Sequence, residues 1–309
     1  MVKCATVCGG DVNMNKQLRG SIILALATII WGSTFIFQRM AMSDIGPFTF
    51  QAVRCFLGVL VLLPVIWLFD KRKKDGKTFL SRWADPKLWR GGFFCGIALF
   101  AACNLQQVGL VDTDAGKSAF LTAMYIVIVP IIGIFLKKKP SKMIPVSVVL
   151  AVAGLYFLSC VGVTSVSFSD LLLIGCALMF AVQIIFVDIY AGIVDPLRLN
   201  VVQVAVCTAL SAIIAFCTET VTWQAIGGSW IPIAYAGVLS MGVAYCMQIL
   251  GQRDVEPSTA SLIMSLESVF AVLCGVLFLQ ERMTKWEIIG CVLLFIAVVL
   301  SQIRIPSKK

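Results

Sequence analysis

Residues 47–69 read PFTFQAVRCFLGVLVLLPVIWLF, an apolar run that contains a single charged residue, Arg54. A helix needs about 20 consecutive, mainly apolar residues to cross the hydrocarbon region of a bilayer, and this run is long enough. It is continuous rather than alternating, which favours a helix over a strand of a membrane β-barrel. The stretch therefore predicts a transmembrane α-helix with an arginine inside the membrane.

Similar runs follow one another along the chain, separated by short polar loops, which we call joints. Hydrophobic residues make up 60% of the 309 residues and charged residues 13%, and the mean hydropathy is +0.96. One soluble core cannot bury that much apolar surface, so we predict an all-α integral membrane protein with ten transmembrane helices. The predicted crossings lie near residues 19–40, 47–69, 91–110, 115–136, 142–160, 170–190, 196–218, 230–252, 257–279 and 285–303.

Lysine and arginine are concentrated in alternate joints. Twenty of the 25 fall on the side that holds both termini, most of them in two joints: Lys71, Arg72, Lys73, Lys74, Lys77, Arg82, Lys87 and Arg90, then Lys137, Lys138, Lys139 and Lys142. The opposite side receives only Arg39, Lys117, Arg282 and Lys285. The positive-inside rule therefore predicts a multi-pass protein of the cell (plasma or inner) membrane with both termini in the cytoplasm.

The net charge of +9 does not indicate a nucleic-acid partner, because the basic residues other than Arg54 are divided between the termini and the joints between apolar helices. We interpret them as a topology signal that also contacts lipid headgroups, so the expected partners are the lipid bilayer and a small-molecule substrate. The protein is expected to be a monomer or a homodimer.

The absence of histidine excludes two kinds of site. Twelve cysteines are present but no Cys-x-x-Cys pair, so neither a Cys/His zinc site nor a histidine-based triad is available, and no metal or other cofactor is expected. Most cysteines lie in apolar segments, where cysteine behaves as a small hydrophobic residue. Residues 1–13 lack the apolar core of a signal peptide, and we expect them to be an extension without function before a natural start at Met14.

The ten predicted helices divide into two sets of five with a weak internal similarity. An offset of 149 residues aligns Phe37 with Phe186, Pro47 with Pro196 and Arg54 with Gln203. An offset of 142 aligns Gln106 with Gln248, Gly109 with Gly251, Asp112 with Asp254 and Gly133 with Gly275. Five crossings is an odd number, so the second set enters the membrane in the opposite sense, as in the inverted repeats of many secondary transporters. The predicted organisation is a cytoplasmic segment 1–17, repeats 18–160 and 170–303, and a cytoplasmic tail 304–309.

Four motifs occur in a specific order along the chain. They are Trp31-Gly-Ser-Thr-Phe; Pro47 with Phe50-Gln-Ala-Val-Arg54; Ala119-Phe-Leu-Thr with Tyr125 and Pro130; and Leu266-Glu-Ser-Val-Phe-Ala followed by Leu279-Gln-Glu281-Arg. In this order and spacing they resemble the EamA family of the drug/metabolite transporter superfamily over residues 18–303. The chain departs from the family pattern at Cys55, at Ser268 in place of proline, at Lys139 in place of glutamate and at Phe180 in place of tryptophan. The resemblance implies two inverted five-helix repeats, a central substrate cavity and export of small metabolites.

Two ionisable residues within the membrane are candidates for transport chemistry, because such residues are costly there. Glu267 lies roughly 15 Å into the ninth predicted helix, near the midplane. It is either a proton carrier or a site for a cationic substrate group, or an internal hydrogen-bond anchor. Arg54 lies roughly 10 Å from the outer end of the second helix. It either binds a substrate carboxylate or phosphate, extends to the outer headgroups, or pairs with a carboxylate such as Asp44 or Asp114.

Other polar and aromatic residues in the predicted helices could line a cavity or serve only in packing. These candidates are Trp31, Gln38, Asn104, Gln107, Tyr125, Gln183, Gln203, Tyr245 and Gln248. Lys117, at the outer mouth of the fourth helix, is either a gate or part of a solvated rim. The function predicted from these features is export of a small polar or amphipathic metabolite, such as an amino acid, by alternating access; the alternative is an importer with the same fold. A lipid-modifying enzyme is disfavoured because no clustered catalytic groups occur, and a receptor because the longest joint is too short for a soluble domain.

Overall fold

The computed structural model describes residues 8–72, 78–113, 115–138, 141–159, 167–279 and 283–303, and within these ranges every regular element is helical. The all-α prediction is confirmed. The expectations stated above for residues 1–7, Asp114, Lys139, Glu281, Arg282, the tail 304–309 and part of the basic joint after residue 72 concern positions outside these ranges.

The helices follow the predicted crossings in order. They are α1 Cys8–Ala41, α2 Pro47–Arg72, α3 Pro86–Asp112, α4 Ala115–Ala123, α5 Tyr125–Phe135, α6 Ile144–Ser159, α7 Phe168–Ala191, α8 Pro196–Thr218, α9 Trp223–Gly228, α10 Trp230–Ala234, α11 Tyr245–Gln252, α12 Pro257–Met264, α13 Glu267–Leu279 and α14 Lys285–Ser301. A 3₁₀ turn at Leu80–Trp83 precedes α3, and a π-helical segment at Tyr235–Ala244 joins α10 to α11.

Eight helical stretches are long and apolar enough to cross a membrane. They are Lys16–Ala41, Pro47–Arg72, Pro86–Asp112, Lys117–Phe135, Phe168–Ala191, Pro196–Thr218, Trp230–Gln252 and Pro257–Leu277. Helix α6 contains a shorter apolar stretch, Ile144–Leu158, and α14 has 17 residues. On the outside of the helices, Phe135, Phe216 and Leu277 are 82%, 76% and 75% exposed, which suits a surface in contact with lipid rather than water.

Several helices begin where side-chain signals fix the first turn. Asp85 precedes Pro86 and accepts a hydrogen bond from the Lys87 N–H at 2.9 Å, so α3 starts earlier than the predicted residue 91. Helix α7 begins with a capping box between Ser167 and Asp170. These caps satisfy backbone N–H groups that the first turn of a helix leaves unpaired.

Two of the predicted crossings are interrupted rather than continuous. The stretch 115–136 breaks at Met124, where the Val127 N–H donates a hydrogen bond to the Met124 carbonyl at 3.0 Å. The stretch 257–279 breaks after Met264, where the Ser265 hydroxyl donates to the Leu262 carbonyl at 2.7 Å. Both stretches remain long and apolar enough to cross a membrane, as predicted, but hydrogen bonds between residues three apart tighten the backbone at both points, which the prediction did not include.

The long helices pack in a defined set of pairs. Helix α2 runs along α8, α6 along α14, and α3 against both α7 and α8, while α1 contacts the π-helical segment, α11 and α13. Glycines permit the closest approaches. A Cβ atom built on Gly154 would lie 2.9 Å from the Gly290 carbonyl oxygen, and one built on Gly290 would lie 2.6 Å from that of Gly154. Backbone therefore meets backbone where α6 crosses α14.

Candidate substrate cavity

A cavity lies among α1, α2, α3, α5, α7, α11, α12, α13 and the π-helical segment, with about 490 Å³ of empty space that includes its open mouth. Seven of the predicted candidates line it: Trp31, Gln38, Arg54, Tyr125, Tyr245, Gln248 and Glu267. The others are Phe35, Cys103, Gln106, Phe180, Ile184, Ser240, Met241 and Met264. The wall thus combines aromatic and aliphatic surface with a few amides and one charge of each sign, a composition typical of small-molecule sites.

Glu267 lies at the first residue of α13, directly after the break in the ninth crossing. Its side chain is buried, and its Oε1 accepts a hydrogen bond from the Tyr125 hydroxyl at 3.3 Å. Tyr125 is itself the first residue of α5, after the break in the fourth crossing. The two interrupted helices therefore bring their half-helix starts together at the cavity, a place where a helix dipole favours an anion.

Arg54 is 1% exposed, so the expected extension to the outer headgroups is wrong. Its Nε donates to the Gln51 Oε1 at 2.8 Å, and its Nη2 donates to the same oxygen. Asp44 is exposed and forms no ion pair with it, while Asp114 lies outside the described residues. Among the described residues, the neighbour that holds this guanidinium is therefore the neutral amide of Gln51, one helical turn before it, and not Asp44.

Two predicted amides lie behind the cavity wall and hold one of its members. The Gln248 Nε2 donates to the Gln183 Oε1 at 3.0 Å, and the Gln183 Nε2 donates to the Gln203 Oε1 at 3.2 Å. Gln203 in turn donates to the Asn200 Oδ1 at 2.9 Å. Gln183 and Gln203 are fully buried and outside the cavity lining; Gln183 contacts Gln248 directly, and Gln203 supports Gln183 from behind.

The remaining candidates are used in helix packing. Asn104 donates to the Ser211 hydroxyl at 2.8 Å and links α3 to α8. Gln107 accepts from the cavity residue Gln38 at 3.2 Å. Lys117 forms an ion pair with Asp170 at 2.7 Å and lies outside the cavity lining. Its side chain is 16% exposed, and the two interpretations of Lys117, a gate or part of a solvated rim, stay predictions.

Sequence reasoning missed eight lining residues, most of them apolar. Nothing in the sequence distinguishes Phe35 or Ile184 from other residues of a packed apolar helix. Gln106 is different: it aligns with Gln248 under the 142-residue offset, and that alignment was a usable signal. Applied systematically to every candidate, the same offset would also have found Cys103 as the counterpart of Tyr245.

The ends of α2 and α8 carry two further carboxylates, both partly buried. Glu219, just after α8, accepts from the backbone N–H groups of Phe48 and Thr49 at 2.9 and 2.8 Å and so caps the start of α2. At the other end of the pair, Asp70 of α2 forms an ion pair with Arg198, whose side chain is 2% exposed, in the first turn of α8. Each helix of this antiparallel pair ends in an acid that contacts the start of its partner.

Comparison with known proteins assigns the chain to a family. The sequence profile described as the EamA-like transporter family matches twice, over residues 18–160 and 167–302. The chain belongs to the EamA-like transporter family. The resemblance inferred from the motifs is thereby confirmed, and the protein is a multi-pass membrane transporter of the EamA type.

Its relatives are named as transporters. An uncharacterized transporter of Archaeoglobus fulgidus is 33% identical over 291 residues, which covers 94% of this chain and 88% of the relative. The uncharacterized transporter YoaV of Bacillus subtilis is 23% identical over 292 residues and is covered over 96% of its length. A solved crystal structure covers 91% of this EamA-type chain and 95% of its own, with a TM-score of 0.74 and 16% identity, and therefore has the same fold.

Proposed function

We propose that this protein is a secondary transporter that exports small polar or amphipathic metabolites, such as amino acids or related compounds, by alternating access. It crosses the cell membrane ten times with both termini in the cytoplasm, and residues 18–160 and 170–303 form two inverted repeats. It acts in the bilayer as a monomer or homodimer. The observation that carries the proposal is the cavity where the two repeats meet, which holds Arg54 and Glu267 without an ion pair between them in the described part of the chain.

The arrangement of the cavity supports the repeat. Ten of its 15 lining residues form five pairs related by the offsets found in the sequence. The pairs are Trp31 with Phe180, Phe35 with Ile184, Cys103 with Tyr245, Gln106 with Gln248, and Tyr125 with Glu267. A cavity built from paired positions lies on the axis that relates two repeats, where transporters of this design bind their substrates.

Helix packing supports the repeat independently. A Cβ atom on Gly109 of α3 would lie 2.7 Å from the Leu173 Cγ of α7. A Cβ atom on Gly251 of α11 would lie 2.6 Å from the Leu24 Cγ of α1. The offsets relate Gly109 to Gly251 and Leu24 to Leu173, so each contact joins one repeat to the other and the two contacts are exchanged when the repeats are exchanged. Helices α6 and α14, with the reciprocal contact of Gly154 and Gly290, are the fifth crossing of each repeat.

Within this function, Glu267 is proposed to carry a proton or to bind a cationic substrate group. Its partner at 3.3 Å is a tyrosine hydroxyl, which hydrogen-bonds to either protonation state of the carboxyl group. A carboxyl group without a cationic partner can be neutralised by a proton at lower cost than one held in an ion pair. Proton exchange during the transport cycle is therefore compatible with the geometry.

The test is a counterflow screen with purified protein in proteoliposomes, across amino acids, nucleobases, sugars and drug-like amines. Accumulation of a labelled amino acid against its unlabelled counterpart is the expected result. Export is then tested by comparing uptake into inside-out and right-side-out vesicles under the same proton gradient, and the inside-out vesicles should accumulate more. If no class of solute undergoes counterflow, the transport proposal is wrong; preferential uptake by right-side-out vesicles would identify an importer.

A further inference from the structure

The guanidinium of Arg54 is held on one edge and free on the other. Arginine has five N–H donors. The Gln51 Oε1 accepts from Nε and from one N–H of Nη2, and Nη1 has no hydrogen-bond partner among the described residues. The donors that remain include the outer edge formed by Nη1 and Nη2, which is the pair of parallel N–H groups that binds carboxylates and phosphates.

The position of this free edge points to a ligand. Arg54 lines the cavity although its side chain is 1% exposed, so its unpaired nitrogen is buried beside open space rather than in solvent. A buried, unpaired donor on a charged group is costly unless a ligand or water satisfies it. A solute with an oxyanion would supply both the missing acceptor and the missing negative charge.

Gln51 is itself held in place from behind. Its Nε2 donates to the Cys55 thiol at 3.0 Å and to the Cys207 thiol of α8 at 3.5 Å, which fixes the amide with its oxygen toward Arg54. An amide holds the guanidinium without neutralising it, whereas a glutamate at this position would form an ion pair. The choice of glutamine thus keeps the full positive charge of Arg54 available to the cavity.

We propose that Gln51 is a positioning residue that presents Arg54 as an oxyanion subsite, and that the transported solute binds there through a carboxylate or phosphate. This inference rests on the proposed function for its meaning in transport, but the subsite can be tested by binding alone. In the other repeat the equivalent pair is Gln203 donating to Asn200, so the charged subsite is present once.

The experiment measures binding to the full-length protein in lipid nanodiscs, by calorimetry and by the shift of the unfolding midpoint. Benzoate is the probe, benzamide is its neutral isostere and phenyl phosphate is the alternative oxyanion. In the unmodified protein benzoate or phenyl phosphate should bind about tenfold tighter than benzamide, the effect of one charge-assisted hydrogen bond, and the tighter of the two identifies the preferred anion. Equal binding of all three probes would overturn the subsite.

Three variants test the role of Gln51. Gln51→Glu is nearly isosteric and gives Arg54 an internal partner, so the preference for the oxyanion over benzamide should fall to about one while benzamide binding persists. Arg54→Gln should give the same ratio, and adding Gln51→Glu to it should change the ratio no further. A retained preference in Gln51→Glu would overturn the positioning role; a further fall in the double variant would indicate simple charge repulsion instead.

A control variant, Gln252→Glu, makes the same isosteric change at a buried glutamine of α11 outside the cavity and should leave the preference unchanged. Loss of the preference in this variant as well would overturn the assignment to Gln51. The outcome is also separable from the transport proposal: oxyanion preference without counterflow of any solute would leave the subsite standing and reject the transporter.

Discussion

The two repeats proposed for this transporter contribute equivalent positions to the cavity but different chemistry. Tyr125 and Glu267 hold corresponding places at the start of half-helices and hydrogen-bond to each other, yet only one of them can carry a charge at neutral pH. Arg54 and Gln203 correspond as well, and each is held by an amide three residues earlier, but only Arg54 lines the cavity. In the proposed repeats, therefore, the positions that line the cavity recur while each ionisable group of its lining is present once.

The ends of α2 and α8 differ in the same way. Glu219 caps backbone N–H groups of Phe48 and Thr49, whereas Asp70, at the corresponding position of the first repeat, contacts the guanidinium of Arg198. One end of the pair is therefore closed by a helix cap and the other by a buried ion pair. The two ends should respond differently to the loss of their acids.

The largest effect is expected at the pair Tyr125 and Glu267. Glu267→Gln should abolish transport driven by a pH gradient while sparing counterflow, because the amide cannot carry a proton. The matched variant Tyr125→Phe removes the hydrogen bond of 3.3 Å but leaves the carboxyl group, and should reduce gradient-driven transport without abolishing it. Both modes are measured in proteoliposomes. Equal loss of both modes in a well-folded Glu267→Gln would assign this residue to substrate binding, and loss of expression would make it a structural anchor.

The next largest effect concerns the two ends of the α2–α8 pair. Asp70→Asn should lower the free energy of unfolding by about 3 kcal/mol, because among the described residues it leaves the buried Arg198 with one acid, Asp195, at 3.2 Å. Glu219→Gln should cost about 1 kcal/mol, since the amide oxygen still accepts from the first turn of α2. Denaturant unfolding of the reconstituted protein measures both. The inverse order would show that the helix cap, and not the ion pair, is the stronger of the two contacts.

A smaller effect is expected where α6 crosses α14. Gly154→Ala and Gly290→Ala should each destabilise by about 1–3 kcal/mol, and by similar amounts, because each added Cβ meets the backbone of the other helix at 2.9 Å or less. Gly133→Ala is the control: no atom lies within 4 Å of its added Cβ, so a gain of about 0.5–1 kcal/mol is expected. Thermal unfolding distinguishes them. A neutral Gly154→Ala would mean that these helices separate easily.

The smallest effect is expected from a deletion in the π-helical segment. Gly96 lies close to the carbonyl oxygen of Gln203, and Gly237 lies close to the carbonyl oxygen of Arg54. These two glycines therefore correspond at an offset of 141 residues. Further along the same helices, Cys103 and Tyr245 correspond at an offset of 142. Under the proposed repeat, the second half therefore has one extra residue within Tyr235–Ala244, as expected of a π-bulge. Deleting Val238 should leave folding and counterflow largely intact.

The matched deletion of Leu99 in α3, a continuous α-helix, should be far more damaging. It turns the rest of that helix by about 100° and moves Cys103 and Gln106 away from the cavity. Expression level and counterflow of the two deletion variants provide the measurement. Equal damage from both would mean that the extra residue is required where it is.

Much of the fold could be predicted from the sequence because a bilayer imposes a simple rule on apolar length. Long runs such as 47–69 and 196–218 give helices at nearly the predicted bounds. The breaks at Met124 and Ser265 could not be predicted, because no proline or glycine marks them and apolar composition is the same on both sides. The π-helical segment was missed because one added residue does not change the hydropathy of a run.

The site was predictable where a residue type is rare in the membrane and not where it is common. Arg54 and Glu267 stand out because an ionisable residue within the membrane is energetically costly, and both line the cavity. Gln183 and Asn104 are polar residues in apolar helices as well, but Gln183 bonds to another amide and Asn104 to a neighbouring helix. Only the packing of the helices separates such residues from those that line the cavity. Gln51 was overlooked because its role depends on which face of α2 meets α8.

The unpaired indole of Trp31 makes the cavity visible to spectroscopy. Its Nε1 has no hydrogen-bond partner among the described residues, its ring meets Tyr245 edge-on at 5.1 Å, and none of the other six tryptophans, all of them in the described ranges, lines the cavity. The emission maximum of an indole shifts with the polarity around the ring, so filling or emptying of the cavity should shift the emission maximum of the intrinsic fluorescence. Trp31 fluorescence thus reports the occupancy of the cavity continuously and without an added label.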